Sequence, residues 1–397
     1  MRLKMSEKGN FYMKRVWIIV IALIIVTIAI IAIVLAIVKK PTEVENDLNS
    51  NEVNEIIEPT KPDYTLLDEG IANVELPKVD ANNLATANST INGKIPSFYN
   101  PVIPKGFKAI SAEQDKTIDE KAKWGEQNAY LYGLVIEDAS GNQFVWVPVE
   151  NMEIFKRTDW HKNAPSEEIS DIYVEPEGND EAEEAYQKMY YKVKKYGGFY
   201  IGRYETGDAS SKSERATVRN SDEVAIKKYL NSYNFVPFKQ TTIEGRDITG
   251  AEQIAKNFGI KNNYSTVVTS VVYGVQWDAM LRFIVSETNN VNDSVSWGNY
   301  STSELPYKSV YGEDVKKESG EIRLLRTGAS EVTKAKNIYD VAGNLYEWTM
   351  ENSGNGIKVV RGGCYVINLA QLAAARYAYK DTTANNAIGF RISFYIN

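Results

Sequence analysis

Cysteine and histidine, the residues that most often do covalent and metal chemistry, occur once each in this chain of 397 residues, as Cys364 and His161. A lone thiol makes no intrachain disulfide, and C-x-x-C or Cys/His zinc patterns are excluded by count. His161 lies in the polar stretch Asp159-Trp-His-Lys-Asn163, which reads as a solvated loop. One imidazole also removes multi-histidine metal sites and any Ser-His relay centred elsewhere. Chemistry is left to carboxylates. Asp340 and Glu347 flank Gly343, which permits a tight turn, and hard oxygens so placed suit Ca²⁺ at about 2.3–2.6 Å. The other reading is that Asp340 caps a turn while Glu347 pairs with an arginine such as Arg361. Trp146, Arg203, Glu205 and Glu347 could line a cleft, but no nucleophile–base pair shows a spacing that demands it.

Three short words stand in fixed order near the C-terminus: Asp340-Val-Ala-Gly-Asn-Leu-Tyr-Glu-Trp348, Arg361-Gly-Gly363 and Ile388-Gly-Phe-Arg391. Their order and spacing resemble the formylglycine-generating enzyme (sulfatase-modifying factor) family. Gly198-Phe-Tyr-Ile-Gly-Arg-Tyr-Glu205 is similar to its early strand and Val275-Gln-Trp-Asp278 to the start of its second helix, so the resemblance extends from about Pro101 to the end. It implies an α+β, C-type-lectin-like fold. It also implies calcium held by the side chains of Asp340 and Glu347 and the carbonyls of Gly343 and Leu345, with Asp340 replacing a family Asn.

The departures from the family bear on function. Its oxidases carry a serine after Gly-Gly and a redox cysteine three residues later, where this chain has Cys364 and Ile367. Without a second thiol the two-cysteine copper site cannot form. The related iron sulfoxide synthases need several histidines, so no iron site is expected either. Cys364 reads as a small buried side chain. In non-catalytic members the stretch between the second and third words forms the ligand surface. Here Tyr365, Asn368, Gln371, Tyr377, Tyr379, Asp381, Asn385 and Asn386 supply rigid aromatic area and adaptable hydrogen bonding. Arg376 is expected to pair inward with an acid.

Elements that must position these residues are legible upstream. Leu131–Ile136 and Phe144–Val149 are β-rich runs around the turn Asp138-Ala-Ser-Gly-Asn142, a hairpin pattern. Pro148 suits a strand end. Between Ser166 and Lys195 an acidic start leads into a surface helix with Tyr186, Tyr190 and Val193 on one face. A strand follows at Phe199–Tyr204. Thr249-Gly-Ala-Glu252 reads as a capping box for a helix bearing Ile254, Ala255 and Phe258. Gln276–Ile284 is a second amphipathic helix. Strand patterning returns at Lys358–Arg361, after the turn Ser353-Gly-Asn-Gly356, and at Phe390–Ile396.

The N-terminal quarter differs in kind. Val16–Val38 is an unbroken apolar run, roughly 35 Å long as a helix and enough to cross a bilayer. It exceeds a signal-peptide core and ends in Lys39-Lys40, so it reads as a signal-anchor. Five basic residues precede the span and two follow it, which places the N-terminus inside. Residues 1–15 are then a basic cytoplasmic tail and 39–95, acidic and Asn-rich, a disordered stalk. Residues 96–397 form the domain outside the cell.

A net charge of −7 offers no basic face to a phosphate backbone, which argues against nucleic acid. The leading expectation is therefore a membrane-anchored extracellular module that recognises a protein or glycan without oxidase chemistry. The alternatives are an enzyme acting on a partner protein by other chemistry, and a structural envelope component.

Overall fold

The computed structural model describes residues 97–126, 128–161, 164–166, 173–176, 181–210, 223–286, 288–291, 293–368 and 373–397. The predicted tail, anchor and stalk lie outside them. Among the described residues no helix is long and apolar enough to cross a membrane.

Apolar runs, most of them from the first half of the chain, build a six-stranded antiparallel sheet. Its strands are β1 (Phe107–Ile110), β2 (Val135–Asp138), β3 (Gln143–Pro148), β4 (Gly198–Gly202), β5 (Val267–Val271) and, from the end of the chain, β10 (Ile392–Ile396). Their order is β1-β2-β3-β4-β10-β5, so the last strand lies between two much earlier ones. Rings from several strands meet on one face: Phe394 lies 5.0 Å from Tyr200, 4.8 Å from Phe144 and 5.3 Å from Phe107 between centroids. Each fully buried side chain of this kind contributes about 1.5–3 kcal/mol by leaving water.

Three helices pack on this frame: α1 (Glu181–Tyr196), α2 (Ala251–Lys261) and α3 (Gly274–Ile284). The apolar face read from the sequence is the buried one, with Ile254, Ala255 and Phe258 of α2 and Trp277, Met280, Leu281 and Ile284 of α3 enclosed. A smaller sheet is formed by β6 (Tyr346–Asn352), β7 (Ile357–Arg361), β8 (Tyr377–Lys380) and β9 (Ile388–Phe390), in the order β8-β7-β6-β9. Only the β6–β9 pair of that sheet is parallel. The fold is mixed α+β with few helices.

Several boundaries differ from the sequence reading, each for a tertiary reason. Residues Ala129–Tyr132 form a 3₁₀ turn, and the first hairpin strand starts only at Val135. The expected Thr249–Glu252 capping box does not form. Helix α2 begins one residue after Gly250, and the N–H groups of Ala251 and Glu252 donate to the carbonyls of Pro237 and Phe238. The neighbouring chain thus satisfies the orphan donors that a side chain would otherwise cap. That approach requires glycine, because a Cβ on Gly250 would sit 2.3 Å from the Phe238 carbonyl oxygen. The run from Phe390 to Ile396 is not one strand: Phe390 ends β9 in the small sheet, and Ile392 starts β10 in the large one.

Candidate functional site

Arg391 stands at that crossing, and its side chain joins the two sheets. Nε and Nη2 donate to the two carboxylate oxygens of Glu347 on β6 at 2.9 and 2.6 Å. Nη1 donates to the carbonyl of Gly202 at the end of β4, and Nη2 also to that of Tyr339. All of this is sealed from solvent, with Arg391 and Glu347 both 0 % exposed.

The first word wraps the same point. Asp340 and Asn344 adopt left-handed backbone (φ 59° and 57°), which Asp and Asn tolerate better than other side chains. Gly343 between them could not be replaced without strain: its φ is +72° and a Cβ would meet the Asn299 carbonyl at 2.3 Å. Asp340 accepts from the Gly328 N–H at 2.7 Å and the Thr333 hydroxyl at 2.7 Å. Glu205 accepts from Asn344 Nδ2 and the Leu345 N–H. Burial raises the carboxyls of Glu205, Asp340 and Glu347 above their ordinary range; for Glu205 the nearby Asp340 and Glu347 charges add to it, and the Arg391 guanidinium opposes it.

The residues of the expected calcium site are thus bonded to protein groups in this arrangement. Of the four expected donors, which include the carbonyls of Gly343 and Leu345, Asp340 and Glu347 accept from protein donors through both carboxylate oxygens. The alternative reading of these residues describes the geometry, with one change: Glu347 takes Arg391 rather than Arg361, although Arg361 stands opposite Glu347 in register. Among the described residues no group of three or more His, Cys, Asp or Glu side chains is arranged to hold a metal ion.

The second word makes a different joint. Arg361 ends β7 and donates through Nη2 to Asp278 on α3 at 2.8 Å, and through Nε and Nη2 to the carbonyls of Ala375 and Ala374. Arg376 bonds both Asp278, at 2.5 Å, and Glu351, at 2.8 Å, as the expected inward pairing requires. The Thr158 N–H adds a further bond to Asp278. Burial alone would raise Asp278, but the two guanidiniums outweigh it and hold the carboxyl below its ordinary value.

Beyond Glu351 the network reaches Glu175, which lies at the N-terminus of α3. There it accepts from the N–H groups of Gly274 and Val275 at 3.3 and 2.6 Å. Burial, and then the Glu351 charge, push it up to about 8, while Arg157 and the two N–H groups oppose the shift. The folded state therefore holds a proton between pH 4.5 and about 8 that the unfolded chain releases. Lowering pH through that window stabilises the fold. Melting temperature is expected to rise by several degrees from about pH 8.5 to pH 5.5, at roughly 2–4 °C per kcal/mol for a domain of this size. Glu175→Gln should flatten the slope; an unchanged slope in that variant would assign the proton to another group.

The four cleft candidates are enclosed: Trp146, Arg203, Glu205 and Glu347 are each 0 % exposed. Arg203 is consumed by Asp115, Gln143, Thr117 and the Asn337 carbonyl. Cys364 is buried too, and burial pushes its thiol up to about 11. At neutral pH it is therefore a poor nucleophile.

The predicted ligand residues divide. Tyr365 belongs to the core and drops out as a surface contact. Gln371 lies outside the described residues. Asn368 and Asn386 are exposed; Asp381 and Asn385 are half-buried, with the Asn385 side chain accepting from the Ala387 N–H. Tyr377 and Tyr379 alternate on β8, so both project from one face. Their rings lie 5.3 and 6.2 Å from that of Tyr346, and Tyr379 lies 6.5 Å from Trp348. The result is an aromatic platform, closed beneath by Tyr346 and Trp348 and partly open at Tyr377 and Tyr379. Sequence reading missed the acids that position this face, Asp278 and Glu351. Asp278 sits within the Gln-Trp-Asp segment of α3, but nothing local marks it as the partner of two distant arginines.

A mixed α+β scaffold carrying these two joints defines a class of protein rather than an activity. Residues 289–394, which include all three words, match the family model of the Sulfatase-modifying factor enzyme 1-like domain, and the chain carries that domain there. No curated protein matches the chain. Among solved structures, Treponema denticola variable protein 1 is similar at 11 % identity and a TM-score of 0.28, over 50 % of this chain and 84 % of that one. CarF is similar at 14 % identity and a TM-score of 0.28, over 50 % of this chain and 87 % of that one.

Proposed function

We propose that the chain is a membrane-anchored extracellular binding module that recognises a protein or glycan through its C-terminal face without oxidase chemistry. The observation that carries this reading is the pairing of a half-open Tyr377–Tyr379 platform with a single, buried, poorly ionised thiol. Aromatic area on β8, with the exposed Asn368 and Asn386 in the same C-terminal segment, suits stacking plus hydrogen bonding. The apolar run Val16–Val38 supplies the anchor, residues 39–95 the stalk and residues 96–397 the module.

The test is to apply the full chain, held in nanodiscs, to arrays of glycans and cell-surface proteins beside the Tyr377→Ala/Tyr379→Ala variant. A selective ligand should bind the natural chain and lose tenfold or more in the variant, since buried aromatic anchors carry about 2 kcal/mol or more each. Absence of any selective ligand would favour a structural envelope component. Conversion of a cysteine peptide to an aldehyde in the presence of copper would instead establish an enzyme.

A further inference from the structure

A cavity of about 340 Å³ lies beside the β6–β7 turn and is lined by Lys358, Lys239, Glu252, Asp381, Met350 and Ile357 among others. Lys358 is 8 % exposed. Its ammonium donates to the Met350 carbonyl at 2.9 Å and sits 4.5 Å from the centre of the Phe238 ring.

The charges around it do not cancel. Asp381 stands 3.9 Å from Lys239, and Glu252 stands 3.6 Å from Lys256. Glu252 first, then Glu175 and Asp381, also act on Lys358 from a distance, and Lys239 opposes them. Among the described residues no carboxylate comes within ion-pair distance of Lys358 itself, so this buried cation has no contact counter-ion. Isolated buried charge is costly unless something pairs with it or it loses its proton. Burial does lower the lysine, to about 8, which leaves it still largely protonated at neutral pH.

We propose that this cavity binds a small organic monocarboxylate, whose carboxylate pairs with Lys358 and whose aliphatic body lies on Met350 and Ile357. A phosphate dianion fits poorly, because Asp381 and Glu252 share the walls and would repel a second negative charge. The site adjoins the Tyr377–Tyr379 platform, because Lys358 stands opposite Tyr379 in register and Asp381 follows two residues later, but it does not rest on that platform's role in recognition.

Butyrate, butyramide and inorganic phosphate are the probes, titrated against the full chain at about pH 7 and followed by saturation-transfer NMR. Butyrate should bind saturably, and butyramide and phosphate should not. Lys358→Met should weaken butyrate about tenfold or more, the worth of a hydrogen bond to a charged group. A second measurement needs no variant. Butyrate stays ionised throughout, so its affinity should fall about tenfold between pH 7 and pH 10 as the lysine loses its proton. Failure of the wild-type chain to bind butyrate saturably overturns the proposal, and so does binding undiminished at pH 10 or in a folded Lys358→Met variant.

Discussion

Arg391→Met is expected to cost about 3–5 kcal/mol at neutral pH, the usual penalty for breaking a buried ion pair from one side. That is a large fraction of the 5–15 kcal/mol that typically holds a domain together. The loss is not that of one bond. Removing the guanidinium strands Glu347 beside Asp340 and Glu205, three enclosed carboxylates with no other arginine bonded to Glu347. It also unpairs the carbonyls of Gly202 and Tyr339, which the same side chain satisfies across the junction of the two sheets. Urea unfolding followed by tryptophan fluorescence reads the effect directly, because Trp146, Trp277 and Trp348 are wholly buried.

Two further results separate this account from a simple packing defect. Glu347→Gln added to Arg391→Met should recover part of the loss, since the stranded charge is then gone while the two carbonyls stay unpaired. A double variant no more stable than Arg391→Met would point to lost volume rather than charge. Calcium and its chelators should leave the natural protein's melting temperature unchanged, because Arg391 already fills the electrostatic role assigned to a cation. A calcium-dependent rise in melting temperature would restore the cation reading of Asp340 and Glu347.

The legible and illegible parts of this site differ for a physical reason. Periodicity is local, so the faces of α2 and α3 and the first hairpin could be read from spacing alone. The three words were legible as landmarks, and Arg376 as an inward-facing arginine. Partner choice is not local. Glu347 stands opposite Arg361 in antiparallel register, yet its bonds go to Arg391, delivered by the parallel pairing of β6 with β9. No sequence distance announces a parallel pair, nor the step from β9 to β10 at a single residue. The run Phe390–Ile396 reads as continuous because every residue in it is buried, whichever sheet it joins. Tyr365 failed as a surface residue for the same kind of reason. A tyrosine's composition suits a recognition face or a core equally well, and the backbone bond from its N–H to the Asn344 carbonyl turns this segment inward.

Asp278→Asn should cost about as much as Arg391→Met, for the mirror-image reason. One carboxylate there serves Arg361, Arg376, the Thr158 N–H and the Trp160 indole, and Glu351 alone would remain against the arginines. The pH dependence gives its sign independently. Asp278 is held below its ordinary carboxyl value in the fold, so its stabilising contribution is complete above the unfolded value of about 3.8 and is lost as pH falls below it. Acid should therefore narrow the gap between the natural chain and Asp278→Asn. A gap that widened in acid would mean that the fold raises this carboxyl above its ordinary value rather than lowering it. The position also links stability to recognition. Arg376 immediately precedes Tyr377 at the start of β8, so the ion pair to Asp278 fixes where the aromatic platform begins. At temperatures where Asp278→Asn is still folded, any ligand of that platform should bind it more weakly. Glu175→Gln, which alters the far end of the same network, should leave that affinity intact. Equal weakening in both variants would show that the face responds to general loosening rather than to the Arg376 anchor.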